Sequence, residues 1–211
     1  SGALNDGSND YIYYQSDGGL GGIQVNATPP GSGSKDWIDI DLSNIIKGRL
    51  IKDLYVRNNN GESSVGYFAS VLGAFALEED IFFDESTDFL DNAYSQFITV
   101  GNNIQVTSLG FDGSNIVLGS EDGVWYSTDP VAITPASVPA TRGYNINTIA
   151  AGGGYWAALS DFYLFIGSGS TAIRIPMVLA LQEKITGMAW DGMDLVVAGE
   201  DGLVGVSYSL P

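Results

Sequence analysis

An all-β fold assembled from repeated small sheets is what this sequence predicts, and three observations carry the prediction. The first is a repeat. The stretch Thr107 to Asp129 holds two acid-glycine corners, and a gap-free shift of 79 residues sets Asp112-Gly113 on Asp191-Gly192 and Glu121-Asp122-Gly123 on Glu200-Asp201-Gly202. The second is a degenerate copy between them, Thr148 to Gly167, with the same strand, turn, strand, turn, strand order. It halves the shift to a period near 40, which in a chain of short strands is the mark of a β-propeller blade. The third is the turn chemistry: 28 glycines against seven prolines, spread without a Gly-X-Y period, suit many tight corners. About twenty strands at four to a blade then give a β-propeller of about five four-stranded blades.

The elements follow in order. Residues 1–10 are Gly, Ser, Asn and Asp for the most part and read as a loose, flexible end. Tyr11 to Gln15 is an aromatic, β-branched strand, and Gly22 to Asn26 a second. Thr28 to Ser34, with two prolines and two glycines, is a loop. Trp37 to Leu42 alternates with period two, as a half-buried strand does. Leu50 to Arg57, Val65 to Leu72 and Ala74 to Leu77 continue the strands, with Asn58 to Gly61 as a turn.

Glu78 to Asp91 holds seven acids interleaved with Ile81, Phe82, Phe83, Phe89 and Leu90, and it breaks the metre. It reads as an acidic insertion at 78–96, with Asp84 or Ser86 capping a short helix through Asp88 to Gln96. From Phe97 the strands resume, including a fourth strand at Val131 to Thr134. The final copy stops after its third strand. Tyr11 to Gln15 is the segment expected to pair with it and close the ring, which would remove an open sheet edge. Residues 11–211 are thus expected to form a single domain.

Composition excludes several functions. The formal charge is −17, from 25 acids and eight bases, with no lysine between Lys52 and Lys184. Nucleic acid is repelled by such a surface, since its affinity rests on neutralising phosphates. Membrane insertion is not expected, because no apolar run approaches the roughly 18 residues a span requires. The chain has no cysteine and no histidine. Disulfides, thiolate metal sites, the commonest zinc ligand and the ordinary Ser-His-Asp triad are therefore unavailable.

The run Ile116 to Asp129, together with Tyr14 to Gly19, resembles the blades of the BNR or Asp-box propeller superfamily. There a strand ending in glycine meets an acidic-glycine turn and then a strand ending in Ser-x-Asp. Pro130 stands where that motif carries glycine. The resemblance implies a propeller architecture and, through some members, a sialidase-like hydrolase. That chemistry needs three arginines to clamp a carboxylate, whereas Arg49, Arg57, Arg142 and Arg174 are scattered over separate segments.

Candidate sites are few. Calcium prefers clustered carboxylates and turn carbonyls, which makes Asp122, Asp191, Asp194 and Asp201 its weak candidates. The competing reading is stronger, because Asp-Gly is also an ordinary turn dipeptide. No cofactor is expected otherwise. Trp37, Trp125 and Trp190 recur at strand positions and read as packing between sheets. Tyr155 and Trp156, just after three glycines, are the aromatics expected to be exposed and to bind. Phe82, Phe83 and Phe89 are a second candidate contact for a protein partner.

The expected function is a non-catalytic interaction or structural module binding protein partners in an extracellular assembly. The leading setting is a virion: a phage tail, a fibre or a capsid decoration. A glycan-binding propeller, lectin-like or related to glycoside hydrolases, is the alternative, and an intracellular scaffold of the same shape is a third.

Overall fold

Short strands joined by tight turns dominate the computed structural model, which describes residues 2–5, 10–15, 22–27, 37–41, 51–59, 62–70, 73–78, 95–98, 104–127, 135–177, 185–192, 194–199 and 202–206. They fall in two compact units, residues 1–98 and 99–211.

In the first unit, β1 (Gly2–Asn5), β2 (Asp10–Gln15), β3 (Gly22–Ala27) and β4 (Trp37–Asp41) form one antiparallel sheet in chain order. A second sheet holds β5 (Ile51–Asn59), β6 (Glu62–Ser70), β7 (Gly73–Glu78) and β8 (Ser95–Ile98), also in chain order. β1 lies against β5. Ala69 and Ala74, partners across the β6–β7 hairpin, are both fully buried.

Three expectations are corrected here. Residues 2–5 are a strand paired with β2, not a loose end. Tyr11 to Gln15 is an interior strand, bonded to β1 on one side and β3 on the other, so neither of its edges is free to complete another sheet. Ser95 and Gln96 belong to β8, which pairs with β7, so the expected helix does not reach them. Most of the acidic insertion, residues 79–94, lies outside the described residues.

The second unit repeats the pattern. One sheet contains β9 (Val106–Phe111), β10 (Ile116–Ser120), β11 (Gly123–Ser127) and β12 (Ala136–Ser137). The fourth strand is thus two residues at 136–137, and Val131 to Thr134 lies outside the described residues. A second sheet contains β13 (Ile146–Gly152), β14 (Tyr155–Ser160), β15 (Tyr163–Ser168) and β16 (Thr171–Pro176). The third has β17 (Ile185–Asp191), β18 (Asp194–Gly199) and β19 (Gly202–Val206).

Alternation explains how these sheets stack. Side chains of a strand point to opposite faces in turn, and β14 uses both faces. Trp156 and Ala158 enter a core with Val117, Val124, Ile149 and Phe165. Their neighbours Ala157 and Leu159 enter another with Leu164, Ile166, Ile185, Leu195 and Val197. A sheet apolar on both faces must be covered twice, and the β9–β12 and β17–β19 sheets cover it. The first strands therefore lie side by side, β9 against β13 and β13 against β17.

The turns keep the metre. Ser120 donates its hydroxyl to the Gly123 carbonyl and accepts the Asp122 amide, closing the two-residue Glu121-Asp122 turn. Ser160 does the same work around Tyr163 at the β14–β15 corner. Gly123 has φ 94°, and a Cβ there would stand 2.5 Å from the Thr141 carbonyl oxygen, so only glycine fits.

Candidate functional site

The acid-glycine corners that look alike in sequence belong to two opposite ends of the sheets. Asp112-Gly113, Gly153-Gly154 and Asp191-Gly192 connect first to second strands. Glu121-Asp122 and Asp161-Phe162 connect second to third strands. A five-residue strand separates the two ends by roughly 17 Å, so the structure does not bring Asp122 together with Asp191 and Asp194.

At the first end the turns abut in a row. The Gly154 amide donates to the Asp112 carbonyl at 2.6 Å. A Cβ on Gly153 would meet the Gly192 carbonyl oxygen at 3.0 Å. Both Gly153 and Gly154 have positive φ, 60° and 85°, the pair of angles a two-residue hairpin turn of this hand requires. Asp112 is 1% exposed, and its carboxylate accepts the amides of Ser114 and Asn115 and the Asn115 side chain. That carboxylate shapes a turn.

Beside this row a groove of about 480 Å³ opens between β13 and β17. Its walls include Ala150, Ala151 and Gly152 from β13, and Met188, Ala189 and Trp190 from β17. Small residues on β13 make the space: the Trp190 side chain rests 3.4 Å from where a Gly152 Cβ would stand. Trp190 spans the gap, donating its indole N–H to the Ala150 carbonyl at 3.0 Å. Tyr155 is half-buried, with its ring 5.8 Å from that of Trp190 at a 31° tilt. Asp191 and Asp194, both exposed, face each other across the β17–β18 turn and put negative charge next in the chain to Trp190 and Gly192.

Trp156 is a correction. It is fully buried rather than exposed, its Nε1–H donating to the Gly169 carbonyl at 3.1 Å. Gly167 makes room for it, since a Cβ there would fall 2.2 Å from the indole. Alternation decides the outcome: Tyr155 and Trp156 are neighbours in sequence and so face opposite ways.

At the other end, Asp122 accepts the Gly143 amide and pairs with Arg142, whose guanidinium stacks over Trp125 at 5.3 Å. Its carboxylate holds a loop. Arg174 sits 4.7 Å above the Tyr163 ring and donates to the Tyr144 hydroxyl. No cluster of three acidic side chains able to hold a metal occurs among the described residues. Asp201, Phe82, Phe83 and Phe89 lie outside those residues. Sequence reasoning missed Met188 and Ala189 as groove residues. Their only signal is the alignment of Met188-Ala-Trp190 with the strand before the Asp112 corner.

No protein-family model matches the chain, and no curated protein matches it. Solved structures do. The β-propeller domain of Swd1 from Myceliophteria thermophila is 12% identical, with a TM-score of 0.57 over 95% of this chain and 67% of that one. A structure of YCF48 bound to a D1 peptide is 10% identical, with a TM-score of 0.59 over 94% of this chain and 61% of that one. The extracellular domain of a one-component system from B. thetaiotaomicron is 15% identical, with a TM-score of 0.63 over 98% of this chain and 27% of that one. This chain therefore spans between about a quarter and two thirds of the length of these proteins. At such identities the likeness carries the β-propeller architecture and nothing narrower; it does not single out the Asp-box superfamily. No described helix is long and apolar enough to cross a membrane.

Proposed function

We propose that this chain is a non-catalytic β-propeller that works as a protein-interaction module, with the abutting turns and the β13–β17 groove of the second unit as its docking face. One observation carries the reading: first strands pack side by side, which sets neighbouring turns in contact and leaves an aromatic and methionine-lined groove beside them. Met and Trp are the side chains that give such surfaces adaptable apolar contact. The negative charge at Asp191 and Asp194 selects a partner segment bearing lysine or arginine. YCF48, a propeller of similar fold, is bound to a peptide, which supports a peptide-like occupant here. The fold proposed with it is about five blades around one axis. The proposed setting is an extracellular assembly such as a virion, on the strength of the few lysines and the Asn, Gly and Ser in the turns.

The half-buried Tyr155 beside Trp190 favours a second reading, a sugar ring stacked at the groove mouth. Selection from a random displayed-peptide library, run beside a glycan array, separates the two. Enriched peptides should carry basic residues and should bind Ala189→Arg about tenfold more weakly, because an exposed β17 position then fills the groove. Glycan hits with no peptide enrichment would favour the second reading, and binding unaffected by Ala189→Arg would remove the groove from either.

A further inference from the structure

Three Asp-Gly bonds lie among the described residues, at 112–113, 122–123 and 191–192, and their surroundings set them apart chemically. An aspartate before glycine is able to close on itself: the glycine nitrogen adds to the side-chain carboxyl carbon, water leaves, and a five-membered succinimide forms. Glycine favours this because it has no side chain to shield the nitrogen. Two conditions follow. The carboxyl must be free to turn back, and the nitrogen must be open to it.

Asp112 fails the first condition. It is buried, and its carboxylate accepts the Ser114 amide at 2.8 Å, the Asn115 amide at 2.7 Å and the Asn115 side chain. Asp122-Gly123 fails both, since the carboxylate accepts the Gly143 amide and pairs with Arg142, while the Gly123 amide donates to the Tyr144 carbonyl at 2.8 Å. Asp191-Gly192 meets both. The two residues are exposed, and no described group bonds to the Asp191 carboxylate. The β17–β18 ladder closes on Asp191 and Asp194, which leaves Gly192 outside it, and a Cβ on Gly192 would have nothing within 4 Å.

We infer that Asp191-Gly192 is a self-modification site, where Asp191 isomerises to isoaspartate through a succinimide and loosens the corner beside the groove. The Gly192 nitrogen bonds to the Asp191 side-chain carboxyl carbon, and one carboxyl oxygen departs as water with the amide proton and the carboxyl proton. Water then re-adds at one of the two imide carbonyls. Attack at the side-chain carbonyl restores aspartate, whereas attack at the main-chain carbonyl routes the chain through the side-chain carbon. Mass and charge are unchanged and no oxidant is needed, but the main chain gains one CH2. That carbon falls between Trp190 and Gly192, which both line the groove, inside a turn whose ends are a paired Asp191 and Asp194. A two-residue turn fixes register by its length, so the added carbon disturbs it. The chemistry holds whether or not the groove binds a partner.

Peptide mapping by electron-transfer fragmentation, which tells isoaspartate from aspartate at equal mass, tests this on the full chain incubated at neutral pH. Isoaspartate should accumulate at Asp191 at least about tenfold faster than at Asp112 or Asp122, because those two must first give up hydrogen bonds to a charged group. In denaturant the three rates should draw together. Equal rates in the folded chain would mean that the fold protects none of them, and a ratio that persists in denaturant would mean that flanking residues decide. Either result overturns the proposal. Asp191→Glu, whose longer side chain must close a six-membered ring, should suppress the change and serves as the control. Amides of β17 and β18 should exchange at least about tenfold faster in the isomerised chain than in an equally incubated Asp191→Glu chain; equal exchange would overturn the loosening. No peptide binding is read, so failure here is distinct from failure of the groove.

Discussion

Single residues in this protein mostly serve the corners. Asp112 shows how: a buried carboxylate with four hydrogen bonds to Ser114 and Asn115, the last two residues of the turn before β10. Asp112→Ala strands the Ser114 and Asn115 amides, and a cost of about 1–3 kcal/mol is expected by denaturant unfolding. Asp112→Asn keeps an acceptor and should recover much of it. Gly167 shows the opposite constraint, the absence of an atom. Its missing Cβ leaves space for Trp156 and for the Thr171 carbonyl, 2.5 Å from where that atom would be. Gly167→Ala should cost about 1–3 kcal/mol through overpacking, read as a lower midpoint with an unchanged slope. A tolerated Gly167→Ala would mean that Trp156 is not held where the structure places it.

At the scale of elements, the unit is a meandering sheet locked to the next by a few crossings. Trp190 is one crossing, an indole on β17 bonded to the carbonyl of Ala150 on β13. Trp190→Phe keeps the ring's apolar contact and loses the donor. It should cost about 1 kcal/mol and quicken amide exchange in β17 more than in β14. The Asp122–Arg142 pair is another link, but it lies at the surface, with side chains 30% and 48% exposed. Exposed pairs contribute about 0–1 kcal/mol, so Arg142→Ala should act mainly through the lost stacking on Trp125.

For the whole molecule, charge and metal are the testable quantities. With an isoelectric point near 4.1, the chain should self-associate as acid removes its repulsion, and light scattering against pH would show the onset. The Asp122 carboxylate is engaged by Arg142 and the Gly143 amide, and no three acids cluster among the described residues. Excess EDTA should therefore leave the melting temperature unchanged. A fall on chelation, restored by calcium, would revive the carboxylates at the turns as ligands.

Much of this was legible in the residues themselves. Alternation marked Trp37 to Leu42 as a strand, seen at Trp37–Asp41, and the 79-residue shift of Asp112-Gly113 onto Asp191-Gly192 marked the repeat with its tight corners, because strand period and turn angles are local properties of the chain. What tertiary structure decided was every question of neighbourhood. Asp122 and Asp191 carry the same local motif yet sit at opposite ends of the sheets. Tyr155 and Trp156 are adjacent yet divide between groove rim and core. Tyr11 to Gln15 has two partners rather than a free edge. Burial and pairing depend on which strand and which sheet covers which face, and that is set by contacts between separate strands, for which a pattern within one strand holds no information.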